Sequence, residues 1–166
     1  MHKITLNSIL LLNPCLVLIA STDMHGPSES ELNIIKRQFG HWTIVTKQMF
    51  QSNTLNNYPK ASGFLGNINK GSIFLLHKTQ NKNIDYLIVH LSKDGKVTIL
   101  FKDSWPTGNP LPYISTNEAS SFVDIKTQKS WAINAKNSFI FDEWAYKWVF
   151  ACVNGKWEKI LIQSEE

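Results

Sequence analysis

Residues 85–101 read Asp-Tyr-Leu-Ile-Val-His-Leu-Ser-Lys-Asp-Gly-Lys-Val-Thr-Ile-Leu-Phe, and no other stretch restricts the fold as much. Two apolar, β-branched runs flank Asp94-Gly95, a dipeptide that favours a hairpin turn because glycine takes φ > 0 without a Cβ clash. Tyr86, Leu87, Ile88 and Val89 are apolar in succession, as are Ile99, Leu100 and Phe101. A strand with one wet face alternates apolar and polar residues. Unbroken runs suit a strand covered on both faces, so the pattern predicts a hairpin at the middle of a sheet.

A chain of 166 residues is sized for one domain, and 43% hydrophobic content with six Trp, nine Phe and four Tyr supplies its core. The net charge of +4 is scattered, and the longest basic run is Lys36-Arg37. That gives no basic stripe for a phosphate backbone, so no nucleic-acid partner is expected. Residues 1–22 read as a signal peptide: Lys3 precedes an apolar segment over residues 9–20, broken at Asn13-Pro14 and followed by Ser21 and Thr22. The apolar segment is shorter than the about 20 residues of a spanning helix. The expectation is a bacterial protein exported to the periplasm or beyond, not membrane-spanning when mature, with a single β domain over residues 23–166. The two cysteines are Cys15 and Cys152; cleavage removes the first, and Cys152 lies in an apolar run as a small hydrophobe.

Ser28 and Glu31 have the spacing of a capping box, and Leu32, Ile35 and Phe39 follow at helical intervals before Gly40. One amphipathic helix over residues 29–39 is therefore predicted. Residues 41–50 read as the first strand, 51–70 as a long polar loop with a short pairing near Gly63-Phe64-Leu65, and 71–80 as the next strand. Residues 102–119 contain three prolines and Gly108, which read as a second long loop. Shorter strands are predicted at 121–126 and 130–135. A final hairpin joins 139–153 to 156–163 through Asn154-Gly155, a preferred type I′ pair. One helix followed by seven or so strands predicts a mainly β fold, an antiparallel sandwich or barrel with one N-terminal amphipathic helix.

From residue 85 onward the chain resembles an exported bacterial β-sandwich domain family of unknown function. The resemblance rests on Asp85-Tyr86-Leu87, Asp94-Gly95-Lys96-Val97 and Leu100-Phe101, with Asn109-Pro110-Leu111, Trp131-Ala132-Ile133 and Trp148-Val149-Phe150-Ala151 as further matches. It departs at Lys102, where the family prefers proline, and lacks a Gly-Thr-Glu turn before the last strand. It implies an accessory domain without catalytic residues. Phe39-Gly40-His41-Trp42 also resembles the Gly-x-Trp signature of lipocalins, which implies a barrel carrying a small hydrophobic ligand.

No catalytic residue, metal ligand or cofactor is assigned from the sequence. The zinc-protease helix motif and the Gly-x-Ser-x-Gly elbow are absent, leaving a secreted hydrolase as an alternative without a motif. His77 and His90 sit on neighbouring strands, but pairing across residues 81–83 does not set them opposite each other. Asp142 and Glu143 are adjacent, so on a strand they diverge and read as a solvated strand entrance. Trp144, Tyr146, Trp148 and Phe150 alternate onto one face, as a core strip or as a platform for sugar rings or a partner. Trp105 falls in the predicted loop, where a Trp suits surface recognition. The candidate binding residues are Trp105, Tyr113, Trp144, Tyr146 and Trp148. The expected function is non-enzymatic binding of a protein or cell-envelope component through the loops, with a small-ligand carrier as the alternative.

Overall fold

The computed structural model describes residues 26–46, 49, 62–108, 111–143 and 145–164. The leader expected at residues 1–22, residues 51–61 of the first polar loop, Asn109, Pro110 and Trp144 lie outside the described residues. The elements run α1 (Glu29–Gln38), β1 (Thr43–Ile44), β2 (Phe64–Ile68), β3 (Gly71–Gln80), β4 (Asn83–Ser92), β5 (Val97–Pro106), β6 (Tyr113–Thr116), β7 (Ser121–Val123), β8 (Ser130–Ala132), β9 (Ser138–Asp142), β10 (Tyr146–Val153) and β11 (Lys156–Ser164). Among the described residues all strand pairings are antiparallel. One sheet has the order β1-β3-β4-β5 with β2 also beside β3; the second has the order β11-β10-β9-β6; β7 and β8 form a separate pair. The sheets are sandwich-like and do not close into a barrel.

The unbroken apolar run of β4 is explained by the layering, whereas the hairpin expected at the middle of the sheet is not central: β5 is the edge strand, and Ile99 is 56% exposed because only one face of β5 is covered. On β3 and β4, Ile73, Leu75, Tyr86 and Ile88 face the second sheet, where Ile114, Phe139, Phe141 and Phe150 meet them. Their neighbours Phe74, Leu76, Leu87 and Val89 face the opposite way, against Ile35 of α1 and Trp42. Behind the second sheet, Val149, Ala151 and Ile160 pack against Ile133, Phe122 and Trp131 of the β7–β8 region. Each large apolar side chain taken from water contributes about 1.5–3 kcal/mol. Aromatic rings fill the space between the sheets: Phe139 and Phe150 stack at 5.2 Å, and Phe141 meets Phe150 edge-on at 6.2 Å.

The helix begins where its cap predicts. The Ser28 side chain accepts from the Glu31 N–H while Glu31 Oε2 accepts from the Ser28 N–H at 2.8 Å. Burial alone would raise the Glu31 carboxyl, but the Ser28 and Ser72 hydroxyls and the Ser28 N–H outweigh it and hold the group below the usual carboxylate range. Leu32 shares the helical spacing of Ile35 and Phe39, which places it on the apolar side of the helix, but it is 39% exposed. The helix faces the sheet with Ile34, Ile35 and Phe39, which leaves Leu32 at the rim.

Other boundaries also differ from the sequence reading. Of the strand expected over residues 41–50, the described residues form Thr43–Ile44, while residues 47, 48 and 50 lie outside the described residues. Trp42 lies in the helix layer, outside the space between the sheets. β5 runs on to Pro106, because β4 offers partners along its whole length, from Leu91↔Val97 to Asn83↔Pro106. Polar Lys102, Asp103 and Ser104 resemble a loop in sequence, yet an edge strand with a wet side requires such residues. The run over 139–153 is two strands, β9 and β10, and the switch of parity between Phe141 and Trp144, which suggests a bulge or a turn at Asp142-Glu143, falls at the turn closed by the Glu143 N–H to the Tyr146 carbonyl at 3.0 Å.

Both predicted glycine turns are present: Gly95 has φ +80°, and Asn154 and Gly155 have φ +52° and +78°. Gly95→Val is expected to destabilise the domain by more than about 1 kcal/mol, because a β-branched residue is strained at positive φ. A urea midpoint equal to that of the wild type would contradict this.

Candidate functional site, an open seam between the sheets

Among the described residues, the two sheets are joined by backbone hydrogen bonds along one side and by side chains alone along the other. On the tied side, Ser62 and Ile114 exchange two backbone hydrogen bonds of 2.9 Å, linking the start of β2 to β6. On the other side lie β5 and β11, the last strands of their sheets. Strand parity decides what faces this seam. The residues of β5 opposite inward-facing Ile88, Tyr86 and Ile84 are Phe101, Asp103 and Trp105. On β11, Lys159 lies opposite buried Phe150, with Trp157 and Leu161 on the same face. β10 contributes Trp148 and Tyr146, and the β9–β10 turn contributes Glu143.

Charged groups sit among these rings. The Lys159 Nζ lies 3.5 Å from the centroid of Phe101 and 3.7 Å from that of Trp148. Such contacts stabilise an ammonium by about 0.5–2 kcal/mol. Burial nevertheless lowers the pKa of Lys159, while the charges of Glu143 and Asp103 pull it upward. Glu143 is 5% exposed. Its Oε2 accepts from the Tyr86 hydroxyl at 2.9 Å and its Oε1 from the Trp148 indole N–H at 2.8 Å. The Trp105 indole N–H in turn donates to the Tyr86 hydroxyl oxygen. Burial raises the Glu143 carboxyl, and the two donors and the charge of Lys159 only partly offset it. Burial and the charge of Glu143 push the Tyr86 phenol far above its ordinary range, so it acts as a neutral donor.

The sequence-derived candidates separate in this framework. Trp105 is a half-buried strand residue packed on the core, not an exposed loop anchor. Tyr113 is 4% exposed and donates its hydroxyl to Asp142 Oδ2 at 2.9 Å, so it belongs to the core. Trp144 lies outside the described residues. Tyr146 and Trp148 do share a face, with ring centroids 6.2 Å apart. The strip descends into the molecule: Tyr146 is 43% exposed, Trp148 is half-buried and Phe150 is 2% exposed. The expected solvated entrance at Asp142 and Glu143 is instead buried, at 7% and 5% exposure, because each carboxylate has tyrosine and other partners. They do diverge, Asp142 toward Tyr113 and Lys147, Glu143 toward Tyr86 and Trp148.

Sequence reasoning missed Phe101, Asp103, Glu143 and Lys159. Lys159 carried the one readable signal, a charge alternating with Trp157 and Leu161 on the apolar face of a strand.

The two strand histidines do not meet: His77 pairs with Tyr86 and His90 with Ile73. Both ring nitrogens of His77 and the Nε2 of His90 are buried without hydrogen-bond partners. Burial lowers both pKa values; for His90 the Ile68 and Asn69 backbone and Asp94 oppose it only in part. A folded-state histidine that resists protonation contributes stability above the unfolded value of 6.5, lost as the pH falls below it. Glu143 works in the opposite sense, since its raised carboxyl favours the folded state on acidification. Urea midpoints of wild type and His90→Phe at about pH 7.5 and about pH 5.5 separate the two. The variant is expected to lose less stability on acidification, and equal losses would exclude His90 as a contributor.

A polar pocket of about 270 Å³ lies elsewhere, between the first turns of α1 and the β2–β3 and β4–β5 turns. Glu31, Ser72, Ser92 and Lys93 line it, with Ile34 and Leu91. Glu31 is committed to the helix cap and to the Ser72 hydroxyl, which ties the helix to β3. This pocket is explained by helix docking. Among the described residues no helix is long and apolar enough to cross a membrane. No protein-family model, curated protein or solved structure matches the chain.

Proposed function

We propose that this chain is a non-enzymatic, exported β domain that binds a protein or cell-envelope component, and that it does so at the open seam. One observation supports this above the others. The aromatic strip of β10 leaves the core at the seam, at half-exposed Tyr146, beside Asp103 of β5 and Lys159 of β11. Rings that continue from a rigid core are anchored without further loss of side-chain freedom, which suits binding hot spots.

The carrier alternative draws no support from the interior, which is packed with rings between unclosed sheets. The hydrolase alternative draws none from Glu143, which is buried and bonded to Tyr86 and Trp148.

The test compares the immobilised wild type with Tyr146→Ala and Lys36→Ala on envelope fractions. Binding lost in Tyr146→Ala and kept in Lys36→Ala is the expected result. Binding that survives Tyr146→Ala but is lost on shortening residues 51–61 would move the interface to that loop.

A further inference from the structure

We infer that the seam binds a neutral oligosaccharide, one sugar ring lying on Tyr146 and its hydroxyls held by Asp103 and Lys159. This rests on the seam being the binding surface.

The chemistry of the seam selects the occupant. The most exposed ring of the strip, Tyr146, is adjacent to Trp148 and shares its face. Aromatic faces attract the C–H side of a sugar ring, as they attract other weakly positive surfaces. A purely apolar ligand would satisfy the rings but would strip water from Asp103, Glu143 and Lys159, whose uncompensated burial is costly. A saccharide offers both kinds of surface at once: ring C–H faces and hydroxyls that donate and accept.

The polar groups at hand match those hydroxyls. Asp103 is exposed on the seam side of β5, where it accepts the Ser104 N–H at 2.8 Å and its charge acts on Lys159. A carboxylate has about four acceptor sites, so most remain for hydroxyl donors. The Lys159 ammonium carries three N–H donors. It rests on the faces of Phe101 and Trp148, which satisfy its charge but offer no lone pair of an oxygen. A hydroxyl oxygen supplies that lone pair. The seam also contains both signs of charge, with Glu143 and Asp103 against Lys159, so a neutral ligand is favoured over a strongly anionic or cationic one. Trp105 and Tyr86 hold Glu143 in place beneath and are left out of the contact.

The experiment is a titration of the labelled domain with chitotriose, cellotriose and maltotriose, followed through the indole N–H signals of Trp148 and Trp105. At least one trisaccharide is expected to shift the Trp148 signal with millimolar or tighter affinity. Tyr146→Ala and Asp103→Ala are each expected to weaken it about tenfold. Both positions are at the surface, and unchanged urea midpoints would show that the variants are folded. Lack of any shift with all three sugars overturns the inference, as does a shift indifferent to both variants. If envelope binding is lost in Tyr146→Ala while none of the sugars binds, the seam remains the interface and only the sugar assignment falls. If neither occurs, both fall.

Discussion

Gly63→Ala is expected to cost about 3 kcal/mol or more, since Gly63 makes the tightest backbone approach of the described glycines. A Cβ built on Gly63 would lie 1.8 Å from the Val45 carbonyl oxygen and 2.9 Å from the Val45 Cβ. The first contact is with backbone, so no rotamer change relieves it. The surroundings are fixed as well. The Gly63 carbonyl accepts the Leu75 N–H at 2.8 Å, and the Val45 N–H donates to the Leu75 carbonyl at 2.9 Å. Gly63 is thus clamped where the chain passes from β1 to β2 against β3. The next residue back, Ser62, carries the bridge to β6 that ties the two sheets. A shift large enough to admit a methyl group must disturb both the β3 edge and the tie. Gly66 is the control: its Cβ would meet only Phe64 at 3.7 Å, an ordinary contact. Gly66→Ala should fall within about 1 kcal/mol of wild type. Equal urea midpoints for Gly63→Ala and wild type would show that the close approach does not exist.

The sequence was legible where one short-range rule decided the outcome. The capping box at Ser28 and Glu31, the Asp94-Gly95 and Asn154-Gly155 turns and the boundaries of β3 depend on local chemistry, and all are found. The doubly buried run on β4 was readable because both faces of that strand are covered, by α1 and by the second sheet, but the same pattern at residues 99–101 misled, since β5 is the edge of the sheet. Legibility failed where a residue's role depends on which strand ends up beside it. Asp103 and Trp105 looked like loop residues because β5 is an edge, where polar residues and a proline are tolerated. Glu143 looked solvated because the groups that bury it come from residues 86 and 148, and Tyr86 is 57 positions away. The seam is a tertiary product of this kind: β4, β5, β10 and β11 each supply part of it.

Trp105→Ala is expected to destabilise the domain by about 2–3 kcal/mol, short of the about 3–5 kcal/mol of a fully buried Trp because this one is half-buried. The indole packs on the core cluster between the sheets, with its ring centroid 6.4 Å from that of Tyr86. Its N–H donates to the Tyr86 hydroxyl, which donates in turn to Glu143. Truncation therefore removes ring contacts and also loosens a buried chain of hydrogen bonds, which are worth more together than singly. Trp105→Phe separates the two contributions. It keeps most of the ring and loses the donor, so a cost of about 1 kcal/mol is expected. Tyr146→Ala provides the contrast on the same seam: at 43% exposure it should leave the urea midpoint within about 0.5 kcal/mol of wild type. The pair distinguishes structure from recognition. Trp105 should act on stability, and on binding only through it, whereas Tyr146 should act on binding alone. Trp105→Ala within about 1 kcal/mol of wild type would mean that the indole is not part of the core and that Glu143 is held without it. In that case the seam would lose the rigid floor on which Tyr146 and Trp148 depend as an anchored surface.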